Sequence, residues 1–138
     1  MIIAMTYENK NFPKISAIVI EDDIELRELF VELLKIHNIH VMGTGSNGKE
    51  AYELYLVYHP DIVFTNLDMQ KYDGYYGIQK IIEYDEKAKF IVISGPVSNR
   101  ILLEEWNVLH IMEKPIDMKK IGVMINKIMH DSIVNKMK

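Results

Sequence analysis

The chain contains no cysteine. Disulfide frameworks, thiolate nucleophiles and cysteine-based metal centres are thereby excluded. No run approaches the roughly 18 apolar residues of a membrane-spanning helix. The apolar opening Met1-Ile-Ile-Ala-Met5 is too short for a secretory signal and lacks a basic start. Positive charge is not in excess: the net charge is -4 and the pI about 5.7. With no Lys/Arg run interleaved with aromatics, direct nucleic-acid binding is disfavoured. There is no internal repeat, low-complexity tract or interdomain linker, and no Gly-x-Ser-x-Gly elbow or Walker loop. Gly43-Thr-Gly45-Ser-Asn-Gly48 fits G-x-G-x-x-G only superficially, because no acidic residue follows at the end of a strand about 20 residues on. The histidines (His37, His40, His59, His110 and His130) have no metal-ligand spacing and read as surface or turn residues. A cytoplasmic location is the default expectation.

What is present fits one globular domain. With 138 residues, 49% of them hydrophobic and 26% charged, the chain can bury a core and is not a disordered polyelectrolyte. Residues 1–14 show no period, and Asn9-Lys-Asn-Phe-Pro13 is a breaker. A loose N-terminal extension is expected over 1–14 and the domain over 15–138. Ile15 to Ile20 is a β-branched strand. Asp23 then caps a helix with Leu26, Leu29, Phe30, Leu33 and Leu34 on one face. Ile39 to Thr44 is the second strand. Asn47-Gly-Lys-Glu50 has the pattern of a capping box and opens a helix bearing Ala51, Leu54, Tyr55 and Tyr58, which His59-Pro60 ends. Asp61 to Asn66 is a third strand, apolar on both faces and so covered by helices on each side. After the loop through Asp73-Gly74 comes a helix with Ile78, Ile81 and Ile82. Phe90 to Ile93 is the fourth strand, Ile101, Leu102 and Trp106 mark a short fourth helix, and Val108 to Met112 is the fifth strand. Asp117 caps a last helix with Ile121, Met124, Ile125, Ile128 and Met129.

Strand and helix thus alternate five times with short connections. This predicts an α/β fold: a five-stranded parallel sheet in a three-layer αβα sandwich, flavodoxin-like, of strand order 2-1-3-4-5. Ligands of such sheets bind at the carboxyl ends of the strands. There the chain places Glu21-Asp22 after strand 1, Asn66 and Asp68 after strand 3, Ser94 after strand 4 and Lys114-Pro115 after strand 5. Singly each is ordinary: a helix-dipole carboxylate, a turn serine, a solvated lysine. Together they could form a hard-oxygen site for Mg²⁺ beside a hydroxyl and an ammonium suited to phosphoryl oxygens.

These residues, with Pro60-Asp-Ile-Val63, Met69 and Asp73-Gly74, resemble the receiver domain of two-component response regulators over about residues 15–135. The resemblance implies that Glu21, Asp22 and the backbone carbonyl of Asp68 bind Mg²⁺. It also implies that Ser94 and Lys114 contact a phosphoryl group. The family's phosphoacceptor is an aspartate, and the matching position here is Asn66. A neutral carboxamide cannot form an aspartyl phosphate, and it removes one negative charge from the metal site. Gln70 stands where the family often has proline and Ile111 where it often has an aromatic. The family's Gly-Ala before strand 5 is missing, and the interval from Ser94 to Lys114 is shorter than usual, so the fourth helix is expected to be reshaped.

The expectation is a stand-alone, non-enzymatic receiver that acts through protein–protein contacts independently of phosphorylation. Its partners would be a histidine kinase or other signalling protein and a separate output protein, with a homodimer as one further form. Alternatives are an ordinary Mg²⁺-dependent phosphoacceptor, through Asp68 as surrogate or with Asn66 engineered in place of aspartate, and a flavodoxin-like small-molecule binder. The carboxylates after strand 1 argue against the last, since they would repel a ligand phosphate unless a cation intervened.

Overall fold

The computed structural model describes residues 14–137. The expected extension over 1–14 lies, apart from Lys14, outside the described residues. Five strands alternate with five helices: β1 (Ile15–Ile20), α1 (Ile24–Ile36), β2 (Ile39–Gly45), α2 (Gly48–Tyr58), β3 (Ile62–Thr65), α3 (Gly74–Tyr84), β4 (Phe90–Ser94), α4 (Arg100–Glu105), β5 (Val108–Glu113) and α5 (Met118–Met137). The strands form one sheet of order β2-β1-β3-β4-β5, and every pairing is parallel. This is the flavodoxin-like sandwich expected from the alternation of elements.

The period of two along each strand divides the core into two layers. Ala17, Val19, Ile62, Phe64, Ile91 and Ile93 point to α1 and α5, where Phe30, Leu34, Ile121, Ile125 and Ile128 meet them. Ile18, Ile20, Val63, Phe90 and Val92 point to α2, α3 and α4, against Ala51, Tyr55, Ile78, Ile81 and Leu103. β3 is the central strand and is buried throughout.

Helix starts follow local chemistry. Asp23 accepts from the Leu26 N–H at 3.2 Å, Asn47 from the Glu50 N–H at 2.9 Å and Asp117 from the Lys119 N–H at 3.0 Å. Glu50 completes its box one residue early, accepting from the Ser46 N–H at 2.7 Å. β3 is shorter than the expected Asp61 to Asn66. Asp61 instead holds the Ser16 backbone N–H at 2.8 Å, and Asn66 turns its side chain into the loop region. On α1 the buried stripe centres on Phe30 and Leu34, which leaves Leu29 exposed. Tyr58, near the end of α2, is exposed as well. α4 has six residues and seats only Leu103 in the core. Ile101, expected on its apolar face, is 73% exposed.

Helices α2 and α3 touch at glycines. A Cβ on Gly48 would lie 2.0 Å from the Asp73 carbonyl oxygen and 2.8 Å from the Gly77 nitrogen. At the amino ends of the strands, the Tyr55 hydroxyl donates to Asp85 at 2.7 Å and His59 meets the Tyr84 hydroxyl at 2.8 Å. Burial, then the Asp85 carboxylate, pushes the Tyr55 phenol well above its ordinary range.

Gly48→Ala should lower stability by about 2–3 kcal/mol through overpacking, read as a lower urea midpoint. Gly122, in α5, has nothing within 4 Å of an added Cβ. Gly122→Ala should raise stability by about 0.5–1 kcal/mol through helix propensity, read as a higher midpoint.

Candidate functional site

Four strand ends supply the site. β1 delivers Glu21, whose N–H donates to the Gly45 carbonyl at 2.9 Å and whose carbonyl accepts from Arg27 at 3.1 Å. Its carboxylate is therefore held inward, and the residue is 6% exposed. Lys114, after β5, places its ammonium 2.8 Å from Glu21 Oε1. The Asp23 N–H donates to Glu21 Oε2 at 3.1 Å. The floor is apolar, built by Leu26, Phe30, Phe64, Ile93 and Ile116, so these charge-assisted contacts are poorly screened from below.

Asn66 follows β3 and still donates its N–H to the Ile20 carbonyl at 2.9 Å. The residue is buried. Its carboxamide nitrogen lies 3.2 Å from Glu21 Oε2, 3.4 Å from Asp22 Oδ1 and 3.1 Å from the Asp68 carbonyl oxygen. Its oxygen accepts from the Asp68 N–H at 3.3 Å. The amide orientation follows from its neighbours, which offer three acceptors on one side and a donor on the other. Two amide hydrogens are thus shared among three acceptors. Thr65 turns away and donates its hydroxyl to the Asn66 carbonyl at 2.8 Å.

Ser94 is buried, and its hydroxyl accepts from the Leu67 N–H at 3.3 Å. Its carbonyl accepts from the Lys114 N–H at 2.6 Å. The Lys114–Pro115 peptide is cis. The structure thus brings Glu21, Asp22, Asn66, the Asp68 carbonyl, Ser94 and Lys114 to one end of the sheet. The Asp68 carboxylate is exposed, and its Oδ2 would lie 3.5 Å from a Cβ on Gly95, the residue after Ser94.

Sequence reasoning missed Glu113. Its carboxylate accepts from the Val97 N–H at 2.8 Å and pairs with Arg100 at 3.0 Å. It thereby ties the β4–α4 loop and the start of α4 to the end of β5. The only signal for it was alternation along the strand, which turns residues 113 and 114 to opposite sides.

Residues 17–126 match the family model of the response regulator receiver domain. The chain belongs to this family. It is 26% identical to chemotaxis protein CheY of Thermotoga maritima over 113 residues, covering 80% of this chain and 94% of that protein. It is also 26% identical to protein CcdB of Bacillus subtilis over 114 residues, covering 81% and 95%. A chain of the CheX–CheY–BeF3–Mg²⁺ complex from Borrelia burgdorferi superposes with a TM-score of 0.75 at 21% identity, covering 83% of this chain and 89% of that one.

Receivers are two-component signalling domains that interact with histidine kinases and other signalling proteins. They typically bind Mg²⁺ at the phosphorylation site. Glu21, Asp22 and the Asp68 carbonyl are hard-oxygen donors of the type Mg²⁺ takes. In this receiver, however, all three converge on the Asn66 amide nitrogen. A cation could collect them only if the carboxamide turned or withdrew. Among the described residues no group of three or more His, Asp or Glu is arranged to hold a metal ion, and no helix is long and apolar enough to cross a membrane.

Asp22 is held below the usual carboxylate range, first by hydrogen bonding with the Glu21 carboxyl and then by its own backbone, Asn66 and Lys114, against the opposing effect of burial. A carboxyl with a depressed folded-state pKa stabilises the fold above its unfolded value, about 3.9. That contribution is lost as pH falls through the folded value. The stability of the wild type should therefore fall more steeply below about pH 4 than that of Asp22→Asn, as read by urea midpoints across the acid range.

Proposed function

We propose that this receiver signals by protein–protein contact without accepting a phosphoryl group at position 66. One observation carries the reading: the Asn66 carboxamide donates to Glu21, Asp22 and the Asp68 carbonyl at 3.1–3.4 Å, where a cation would otherwise be needed. Unbridged carboxylates at a sheet end repel each other. Here a neutral donor and Lys114 offset that repulsion, so the loops are organised without metal or phosphate. A carboxamide has no nucleophilic oxygen comparable to a carboxylate, which removes the acyl phosphate route at this position. Mg²⁺ is then a weak ligand rather than a resident cofactor.

The roles follow from the contacts. Glu21 and Asp22 are the acidic pair, Asn66 bridges them, Lys114 neutralises Glu21, and Ser94 fixes the turn after β3 through the Leu67 N–H. The domain has no reaction of its own on this reading, and its output is the surface around α4, β5 and α5, presented to a separate signalling protein. Surrogate chemistry at Asp68 has less support, because that side chain is exposed and it is the Asp68 carbonyl that meets the Asn66 amide.

Intact mass after incubation with Mg²⁺ and acetyl phosphate should show no phosphoryl adduct on the chain. Asn66→Asp should acquire one, with Mg²⁺ affinity raised by about tenfold or more through the added charge. An adduct on the unaltered chain would overturn this reading, and mapping it to Asp68 would restore the surrogate alternative.

A further inference from the structure

The end of the sheet opposite the acidic pocket carries a second concave site, with a volume of about 390 Å³. Small-molecule sites span roughly 300–1,000 Å³. Its walls are the segments that lead into β3 and β4, the end of α2 and the last turns of α5. The first two walls are held in place by the fold itself. Asp61 donates its N–H to the Ser16 carbonyl at 3.0 Å and accepts from the Ser16 N–H at 2.8 Å. Asp85 accepts from the Tyr55 hydroxyl at 2.7 Å and from the Lys87 N–H at 3.0 Å. The Asn107 carboxamide donates to the Glu86 carbonyl at 2.7 Å, and the Val63 N–H donates to the Lys89 carbonyl at 2.9 Å. Walls fixed in this way lower the ordering cost of binding.

Acceptors and donors are used unequally in this site. Both of its carboxylates are engaged by the contacts just described. Asp85 is held below the ordinary carboxylate range, first by the Tyr55 hydroxyl and then by the Lys87 N–H, so it stays ionised at neutral pH. The donors differ. Among the described residues, the side chains of Lys87, Lys89, Ser132 and Asn135 make no hydrogen bond or ion pair. The complement of these four groups is an acceptor, and two ammoniums favour an anionic one. The local charge limits how anionic it is. Lys87 and Lys89 are offset by Asp61 and Asp85, and the negative ends of the α2 and α3 dipoles lie at the same end of the sheet. One negative charge is therefore accommodated better than two. Pro60 and Ala88, both buried, add an apolar wall for the rest of the ligand.

We infer that this pocket binds a small organic monocarboxylate, its carboxylate held by Lys87, Lys89, Ser132 and Asn135 and its apolar part against Pro60 and Ala88. The bound acid joins the last turns of α5 to the segment before β4, which Asp85 and Tyr55 already tie to α2. The pocket shares no residue with the acidic site, so the inference holds whether or not position 66 accepts a phosphoryl group.

The test titrates the full chain, labelled with ¹⁵N, with 3-phenylpropionate and follows the backbone amides by NMR. Saturable shifts are expected at residues 59–61, 85–89 and 132–135. The neutral isostere 3-phenylpropanamide should bind at least about tenfold more weakly, because it lacks the charge. The double variant Lys87→Gln with Lys89→Gln should weaken 3-phenylpropionate by about fivefold or more, and Ser132→Ala by a smaller factor. Both lysines are exposed, so the spectra of the variants should otherwise match the unaltered chain and report intact folding. The absence of saturable shifts would overturn the inference, as would equal binding of the amide or unchanged affinity in the lysine variant. Shifts centred instead on Glu21, Asn66 and Lys114 would place the anion at the other end of the sheet and overturn it too. Tighter binding of phenyl phosphate than of 3-phenylpropionate would overturn the assignment to a monocarboxylate.

Discussion

Two carboxylates held beside one another at the end of a parallel sheet demand compensation, and the loops of this receiver are arranged around that demand. Glu21 cannot escape to solvent, because its backbone is pinned on both sides, to Gly45 and to Arg27. Its two oxygens are divided between an ammonium from β5 and an amide from β3. These contacts join β1, β3 and β5 at their carboxyl ends. Without Lys114 and Asn66, the nearly buried Glu21 would lose both its charge partner and a hydrogen-bond donor, a combination that interiors rarely tolerate.

The architecture was legible because each strand is a short apolar run and every helix but α4 opens on a capping side chain. Asp23, Asn47 and Asp117 announce three of the helices by local chemistry alone. The strand ends were legible for a related reason. A polar residue directly after a buried strand has only one end of the sheet to occupy, so Glu21, Asn66, Ser94 and Lys114 had to converge once the strands were parallel. Partner choice among them was not legible. The resemblance implied that Lys114 would meet a phosphoryl oxygen, and in this structure it meets Glu21. Asn66 read as the loss of a carboxylate, and its gain of two donor hydrogens became evident only with the distances.

Surface details were less readable still, since burial depends on how a helix is rotated against the sheet. Leu29 and Leu34 look equivalent in a helical period, but only Leu34 reaches the core. Ile101 and Leu103 compete for the single core seat that a helix of six residues offers, and packing against Val92 and Val108 in the same cluster selects Leu103. Beyond strand alternation Glu113 gave no pattern, because its partners, Val97 and Arg100, lie across a loop whose path depends on the shortened α4.

The end of β5 also has a mechanical character. Glu113 and Lys114 are neighbours with opposite headings: one holds the β4–α4 loop and Arg100, the other holds β1 through Glu21. The strand end is a yoke with a load on each arm. Any force that draws Lys114 off Glu21 twists the same peptide that anchors Glu113, so the displacement is handed to α4 along the main chain. The yoke is built from a carboxylate and an ammonium, and position 111, where the family often has an aromatic, carries the aliphatic Ile111.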